Sequence, residues 1–231
     1  MKNSMYQQFA QLYDQIFDFN PKIFEGLFDK PYLHALDIGC GTGRLTKLIY
    51  DHQIKSLGID LDEAMIKVAK TNYPEIDFKV MNMLNLDQLG SFDLITCFGN
   101  TLPHINPIEF NRFFKLIEDK LTNEGVLWIQ LLNYDYILKH QITSLKPIIK
   151  HNFKFYRDYE IHKDRISFHT RLETLDHVIE GTTTLYPYQL IDFLNIEKTH
   201  QLHVSCYGSL TLKPYDVDED YYVYVKVQKR L

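Results

Sequence analysis

The chain has 231 residues, of which 45% are hydrophobic and 24% charged, a composition typical of one globular domain and not of a disordered chain. Its net charge of −5 argues against a dedicated binder of nucleic-acid backbones, because such proteins usually carry a basic surplus. Three widely spaced cysteines indicate reduced thiols in the cytoplasm, and the absence of a signal peptide or a long apolar stretch argues against secretion or membrane insertion.

The first part of the chain contains helical signals and then an alternation of strands and helices. Residues 4–19 place apolar side chains at helical spacing, which predicts an amphipathic helix, and Asn20-Pro21 starts a second short one. The predicted strands are LHALDI, KSLGID, IDFKV, FDLITC and VLWIQLL, the last after a turn at Asn123-Glu124-Gly125. The predicted helices are RLTKLIYD, one from Asp62 to about Asn72, and one from Pro107 through Lys120 with Asn106 as its cap. This alternation predicts a parallel α/β sheet.

The second part of the chain has a different pattern. Residues 152–185 hold three runs rich in Phe, Tyr, Thr and Ile, which predict an antiparallel meander. Pro187 starts a helix to Asn195, and HQLHVSCYG and YYVYVKVQK form the last two strands. The predicted fold is one α/β domain over residues 1–231: a Rossmann-like, seven-stranded, mostly parallel sheet with an antiparallel β insert (151–185) between strand 5 and the last helix. We expect residues 1–30 to form a helical lid, and the insert can pair across a homodimer.

A glycine-rich turn, LDIGCGTGRL over residues 36–45, follows the first predicted strand and opens a helix. Gly39, Gly41 and Gly43 permit positive φ and close approach of a ligand, and the helix start offers free N–H groups. The spacing GxGxG differs from the dinucleotide pattern GxGxxG, which disfavours NAD or FAD, and no P-loop motif occurs. Asp60, at the end of the second strand, can accept hydrogen bonds from both hydroxyls of a ribose. Together these residues predict a nucleoside site.

With these features the chain resembles class I S-adenosylmethionine-dependent methyltransferases over its whole length. The resemblance implies that Asp37 and the backbone around Gly39 hold the methionine end of S-adenosylmethionine and that Asp60 holds its ribose. Asn82 stands where the family usually has an Asp that accepts from the adenine amino group, which leaves a neutral hydrogen bond. The residues implied for cofactor binding are Tyr13, Asp37, Gly39, Cys40, Gly41, Gly43, Asp60, Leu61, Met65, Asn82, Met83, Leu84 and Phe98.

The fourth predicted strand leads into CFGNTLPHI (97–105), which lacks the Asn/Asp-Pro-Pro-aromatic tetrad of nucleic-acid amino-methyltransferases. This stretch is similar to glycine N-methyltransferase and related small-molecule N-methyltransferases, and the likeness recurs at NYDYIL, LYP and KPY. The resemblance implies a small-molecule acceptor and no nucleic-acid partner, with Asn133 and Tyr215 at the acceptor and Tyr13 over the active site. The family's carboxylate-binding Arg before Tyr-Pro is missing, so we expect an amine less charged than glycine, or a different nucleophile.

The role of His104 is open, since it can be a core or capping histidine or a polar group at the mouth of the pocket. A Tyr or His near the acceptor could relay a proton. No metal site is expected, because the other histidines lack HxH or HExxH spacing. Two other functions stay open: an S-adenosylmethionine-binding sensor or scaffold that does not transfer methyl groups, and a nicotinamide oxidoreductase.

Overall fold

The computed structural model describes residues 9–230, so the beginning of the predicted helix over residues 4–19 lies outside the described residues. Within them, one short helix, α1 (Tyr13–Ile16), is followed by Phe17 in an extended conformation, which ends the helix. A 3₁₀ helix then spans Pro21–Phe28, and the side chain of Asn20 accepts from its first turn. The prediction of a continuous helix to residue 19 is therefore wrong, whereas the second helical segment is confirmed.

A seven-stranded sheet forms the centre of the molecule. Its strands are β1 (His34–Ile38), β2 (Lys55–Asp60), β3 (Asp77–Val80), β4 (Phe92–Cys97), β5 (Leu121–Leu132), β10 (Leu202–Tyr207) and β11 (Tyr222–Lys229), the numbers in between belonging to a second sheet. The order across the sheet is β10-β11-β5-β4-β1-β2-β3. Strands β1 to β5 pair in parallel, and β11 is antiparallel to both β5 and β10. The predicted fold class is confirmed.

Five further helices connect the strands. They are α2 (Arg44–Asp51), α3 (Glu63–Asn72), α4 (Pro107–Lys120), α5 (Tyr134–Lys139) and α6 (Leu190–Thr199). Asp62 and Asn106 cap α3 and α4 as predicted. Helix α6 begins three residues later than predicted, since Gln189 forms its capping box, and ends four residues later. Among the helices within residues 9–230, none is both long enough and apolar enough to cross a bilayer.

Strand β5 is longer than the sequence predicts. Its pairing with β4 shifts register between Phe92, which faces Leu121, and Leu94, which faces Val126. Four residues of β5 therefore oppose Asp93 alone, and the side chain of Thr122 donates to that carboxylate at 3.1 Å. The predicted turn at 123–125 is a bulge inside one strand, because pairing resumes on both sides of it.

The insert is a separate four-stranded antiparallel sheet. Its strands are β6 (Ser144–Lys150), β7 (Phe153–Ile161), β8 (Ile166–Thr174) and β9 (Val178–Leu185). The predicted boundary at 151 is wrong, because it omits β6. Pro147 in that segment argues against a strand, but β6 is an edge strand and its register shifts between Leu145 and Ile148, next to this proline. Pairing of the insert across a dimer stays a prediction.

Candidate functional site

The glycine turn is a tight loop at the carboxyl end of β1. Gly39, Gly41 and Gly43 have φ values of 71°, 53° and 87°, in the left-handed region that favours glycine. A Cβ atom at Gly43 would lie 2.7 Å from the ring of Phe78, so this glycine also permits close packing of the loop. A Cβ at Gly41 would meet only the ring of Tyr13, at 3.9 Å. The open side of the loop is therefore at Gly41.

The amides of this loop are engaged within the protein, which sequence reasoning did not foresee. The N–H groups of Gly39 and Cys40 donate to the carbonyl of Ile59 at 2.8 and 3.0 Å, and that of Gly43 donates to the carbonyl of Cys40. The N–H of Gly41 donates to the carboxylate of Asp60 at 2.9 Å. These bonds fix the loop against the end of β2. Contact of the backbone around Gly39 with the methionine end of the cofactor stays a prediction. The loop allows a ligand to approach its backbone closely at Gly41.

Asp60 is held in a defined orientation at the carboxyl end of β2. One carboxylate oxygen accepts from Gly41 N–H and the other from Asp62 N–H, both at 2.9 Å. Burial raises the pKa of Asp60 above its ordinary value, although these two backbone hydrogen bonds oppose the shift. A carboxylate has about four lone-pair positions, so each oxygen keeps capacity for one more donor. Two adjacent hydroxyl groups match this arrangement.

The side chain of Asp37 is buried in the interior of the protein. It is 2% exposed, and its two carboxylate oxygens accept from the hydroxyls of Thr46 (2.7 Å) and Thr96 (2.8 Å). These bonds join β1 to α2 and to β4. Direct contact of Asp37 with a ligand stays a prediction, whereas the observed contacts give it a structural role in holding the loop.

Burial of Asp37 has a consequence for stability that changes with pH. Burial raises its pKa from 3.8 to about 6, so the folded protein binds this proton more tightly than the unfolded chain does. The ionised carboxylate therefore costs up to about 3 kcal/mol above pH 6, and the cost disappears as the pH falls below 4. We expect the unfolding free energy of the wild type, minus that of Asp37→Asn, to be larger at pH 4 than at pH 7. Equal differences at the two pH values, from urea denaturation, would contradict this assignment.

Four further residues that the resemblance implies for cofactor binding divide into two groups by their exposure. Leu61 is 70% exposed, and the side chain of Asn82 is partly exposed and accepts from the N–H of Leu84 at 2.9 Å. Met65 and Leu84 are 2% and 5% exposed and pack in the interior. Contact with the cofactor stays a prediction for all four, and exposure favours Leu61 and Asn82.

The N-terminal segment packs over the glycine loop. The carboxylate of Asp14 accepts from the hydroxyl of Thr42 at 2.6 Å and pairs with Arg44 Nε at 3.0 Å. Arg44 also donates to the carbonyl of Phe17 at 2.7 Å. Tyr13, whose pKa burial raises to about 12, lies between Phe17 and Gly41. These contacts hold the segment over the glycine loop, and its function as a lid stays a prediction.

A cavity of about 300 Å³ lies next to this loop. It is bounded by the N-terminal segment, the carboxyl ends of β4 and β5, one face of the insert and the start of β11, and about half of its lining residues are aromatic. Tyr13, Phe98 and Gly99 line it on the loop side. Gly99 has φ of 71°, and a Cβ atom there would meet nothing within 4 Å. The backbone at Gly99 is therefore open to a molecule in the cavity.

His104 also lines the cavity. Burial lowers its pKa to about 4, so the imidazole is uncharged at neutral pH. Within residues 9–230, no group of three or more His, Cys, Asp or Glu side chains is arranged to hold a metal ion.

The part of the chain that contains the glycine loop is similar to a known protein family. Residues 35–125 match the family model for a methyltransferase domain. This segment is therefore similar to a methyltransferase domain. The matched segment includes Asp60, Phe98 and His104, and ends within β5, before the insert begins.

Several named relatives are similar to part of this chain, and solved structures are similar to it in fold. The chain is 34% identical over 111 residues to a ubiquinone biosynthesis O-methyltransferase from Pelagibacter ubique, covering 46% of this chain and 45% of that protein. It is 24% identical over 164 residues to glycine N-methyltransferase from Mus musculus, covering 63% of this chain and 56% of that protein. The chain thus spans about half the length of these relatives. An S-adenosylmethionine-dependent methyltransferase structure from Clostridium acetobutylicum matches with a TM-score of 0.83 and 20% identity, covering 97% of this chain and 98% of that one. The predicted resemblance to methyltransferases is confirmed.

Two residues predicted at the acceptor do not line the cavity. The side chain of Asn133, which is 2% exposed, donates to the carbonyls of Val217 and Asp220 and accepts from the N–H of Tyr136. All of its hydrogen-bonding groups therefore have protein partners. The hydroxyl of Tyr215 is buried without a hydrogen-bond partner, and burial raises its pKa. Contact of either residue with an acceptor stays a prediction.

The insert and strand β11 contribute cavity residues that sequence reasoning missed. Arg157 and Tyr159 on β7, Thr170 on β8 and Tyr222 on β11 all line the cavity beyond the methyltransferase match. The available signal was a charged residue, Arg157, in the middle of the aromatic run FKFYRDYEI. The alternation of side chains along a strand could not by itself show which face of β7 lies toward the cavity.

Proposed function

We propose that this chain transfers the methyl group of S-adenosylmethionine to a nucleophilic atom of a small-molecule acceptor, with an amine nitrogen as the favoured atom. The observation that supports this most strongly is the aromatic cavity of about 300 Å³ that adjoins the glycine loop at Tyr13, Phe98 and Gly99. A cavity of this size suits a small molecule. Its position at the carboxyl ends of the parallel strands is the usual ligand position in open α/β sheets.

The residues at the loop fit S-adenosylmethionine. Asp60 is oriented by two amides and keeps lone pairs for the two ribose hydroxyls. Gly41 leaves room for close approach, and the exposed apolar side chain of Leu61 next to Asp60 suits the face of a purine. When bound, S-adenosylmethionine supplies a methyl group that its sulfonium activates for displacement.

The chain's own contribution is to position the acceptor and to exclude water. Orientation of two reactants can supply about 7–11 kcal/mol of a barrier. The N-terminal segment, fixed by Asp14 and Arg44, covers the loop side of the cavity. At neutral pH His104 and Tyr13 are both uncharged, because burial moves their pKa values to about 4 and about 12. Neither is poised for strong acid–base catalysis, which suits a reaction that depends on positioning.

The charges around the cavity favour a neutral amine as the acceptor. Among the described lining residues Asp18 is the one carboxylate, and it pairs with Lys150 at 2.9 Å. An ammonium ion would therefore lack a counter-charge and would lose solvation, and both effects favour its deprotonated, nucleophilic form. The mouse relative is named for N-methylation and the Pelagibacter relative for O-methylation. The relatives therefore do not choose between nitrogen and oxygen, and the preference for nitrogen rests on the charges around the cavity.

The proposal is tested by incubating the protein with S-adenosylmethionine labelled in the methyl group and a panel of small amines and matched alcohols. We expect label transfer to one or more amines and a higher melting temperature with S-adenosylhomocysteine. Stabilisation by S-adenosylhomocysteine without transfer to any member would favour the sensor or scaffold alternative. Stabilisation by NAD and not by S-adenosylhomocysteine would contradict the proposal.

A further inference from the structure

Arg157 is a cation in the cavity whose hydrogen bonds are incomplete. It lies in the middle of β7 and lines the cavity together with Thr170, its register partner on β8. One terminal nitrogen donates to the carbonyl of Lys146 at 3.0 Å. The Nε–H is buried and has no hydrogen-bond partner.

The other arginines of the insert differ from Arg157. Arg171 pairs with Glu173 at 2.9 Å and Arg165 with Asp164 at 3.1 Å. Arg157 forms no ion pair with any carboxylate of residues 9–230. A buried donor without an acceptor costs about 1–3 kcal/mol, and more when the group is charged. Since Nε is closed off from the cavity, an anionic ligand there would bind the terminal nitrogens and supply the counter-charge that Arg157 lacks.

The neighbours of Arg157 are donors as well. Its charge acts to lower the pKa of Tyr159 and Tyr222, although burial raises both more strongly. Both phenols line the cavity and stay protonated at neutral pH. The hydroxyl of Thr170 makes only a long bond, 3.5 Å, to the carbonyl of Gly181. This part of the wall can therefore donate several hydrogen bonds to one group of oxygen atoms.

We propose that Arg157 determines acceptor specificity by binding a carboxylate group of the acceptor, so that the substrate class is a small amine that also carries a carboxylate. A guanidinium presents a planar set of donors that matches a carboxylate with two parallel bonds. The inference rests on the proposed function. It reverses the expectation, drawn from the missing Arg before Tyr186-Pro187, that the acceptor lacks such a group.

The position of Arg157 also agrees with transfer to nitrogen. A positive charge in the wall disfavours a second positive charge on the acceptor, which lowers the pKa of a bound amine. The carboxylate would offset part of this effect while anchoring the molecule at the insert. The amine would then be free to face Phe98 and Gly99, which line the same cavity.

The test uses the full chain saturated with S-adenosylhomocysteine and measures its melting temperature with matched small-molecule probes. The probes are glycine, 3-aminopropanoate, 4-aminobutanoate and benzoate, each with its amide, and inorganic phosphate. We expect at least one carboxylate to stabilise the wild type while its amide does not. We expect Arg157→Gln to lower the affinity for that carboxylate about tenfold or more, as loss of a charged bidentate partner implies, with unchanged affinity for S-adenosylhomocysteine. Arg171→Gln, an exposed insert residue, is the matched control.

If each carboxylate and its amide change the melting temperature of the wild type equally, or if neither changes it, the inference is overturned before any variant is tested. Retention of the carboxylate effect in Arg157→Gln would also overturn it, and stabilisation by phosphate alone would assign the site to a phosphate group instead. If the wild type does not bind S-adenosylhomocysteine, the proposed function itself is contradicted. Failure of the carboxylate proposal can therefore be told apart from failure of the proposed function. If Arg157→Gln does not fold, Arg157→Lys keeps the charge but not the planar donors, and we expect weaker carboxylate binding there.

Discussion

Replacing Asp60 with alanine is expected to weaken binding of S-adenosylhomocysteine at least tenfold, equivalent to about 1.4 kcal/mol or more. The variant removes a charged acceptor for two ribose hydroxyls, and hydrogen bonds to charged groups are stronger than neutral ones. It also leaves the N–H groups of Gly41 and Asp62 without their present partner. Isothermal titration calorimetry measures this affinity directly.

Asp60→Asn separates these two contributions. The asparagine keeps one oxygen for a backbone amide but loses the charge, so we expect an affinity between those of the wild type and Asp60→Ala. Asp77→Ala, at an exposed position at the start of β3, is the matched control and should bind as the wild type does. An unchanged affinity in folded Asp60→Ala would remove Asp60 from the site.

Replacing Asn133 with alanine is expected to lower the unfolding free energy by about 2–4 kcal/mol. Three hydrogen bonds disappear at a nearly fully buried position, and the carbonyls of Val217 and Asp220 lose their donor. The side chain also caps α5 through Tyr136 N–H, a contact that alone contributes about 1 kcal/mol. Urea denaturation measures the loss.

Asn111→Ala is a suitable control, since Asn111 is exposed on α4 and its side chain bonds only the carbonyl of Pro107. We expect its effect to stay within about 0.5 kcal/mol. If Asn133→Ala were as stable as the wild type yet lost turnover at full affinity for S-adenosylhomocysteine, Asn133 would be an acceptor-binding residue, as the resemblance implies. A loss of stability instead makes it a positioning residue for the loop that follows Tyr215.

The parallel half of the fold could be predicted because local signals agree with the tertiary structure there. Asp62 and Asn106 cap helices that the sequence places correctly, and the buried strands are short apolar runs between turn residues. The glycine loop was also recognisable, but its hydrogen bonds were not. Whether an amide near Gly39 faces a ligand or the carbonyl of Ile59 depends on the neighbouring strand.

The acceptor side was harder to predict because it depends on contacts between distant segments. Asn133 bonds carbonyls more than 80 residues away, so its burial has no local signal. Arg157 resembles any exposed charge on a strand until β8 and β11 place Thr170 and Tyr222 around the same cavity. Strand β6 was missed because Pro147 is unfavourable inside a sheet but tolerated at its edge.

A crystal structure of the chain with S-adenosylhomocysteine bound tests the central claim most directly. The account predicts the ribose hydroxyls on the carboxylate of Asp60, the amino-acid portion along the open side of the loop at Gly41, and the sulfur facing the cavity near Gly99. A nucleoside bound elsewhere, or a sulfur that points away from that cavity, would contradict it.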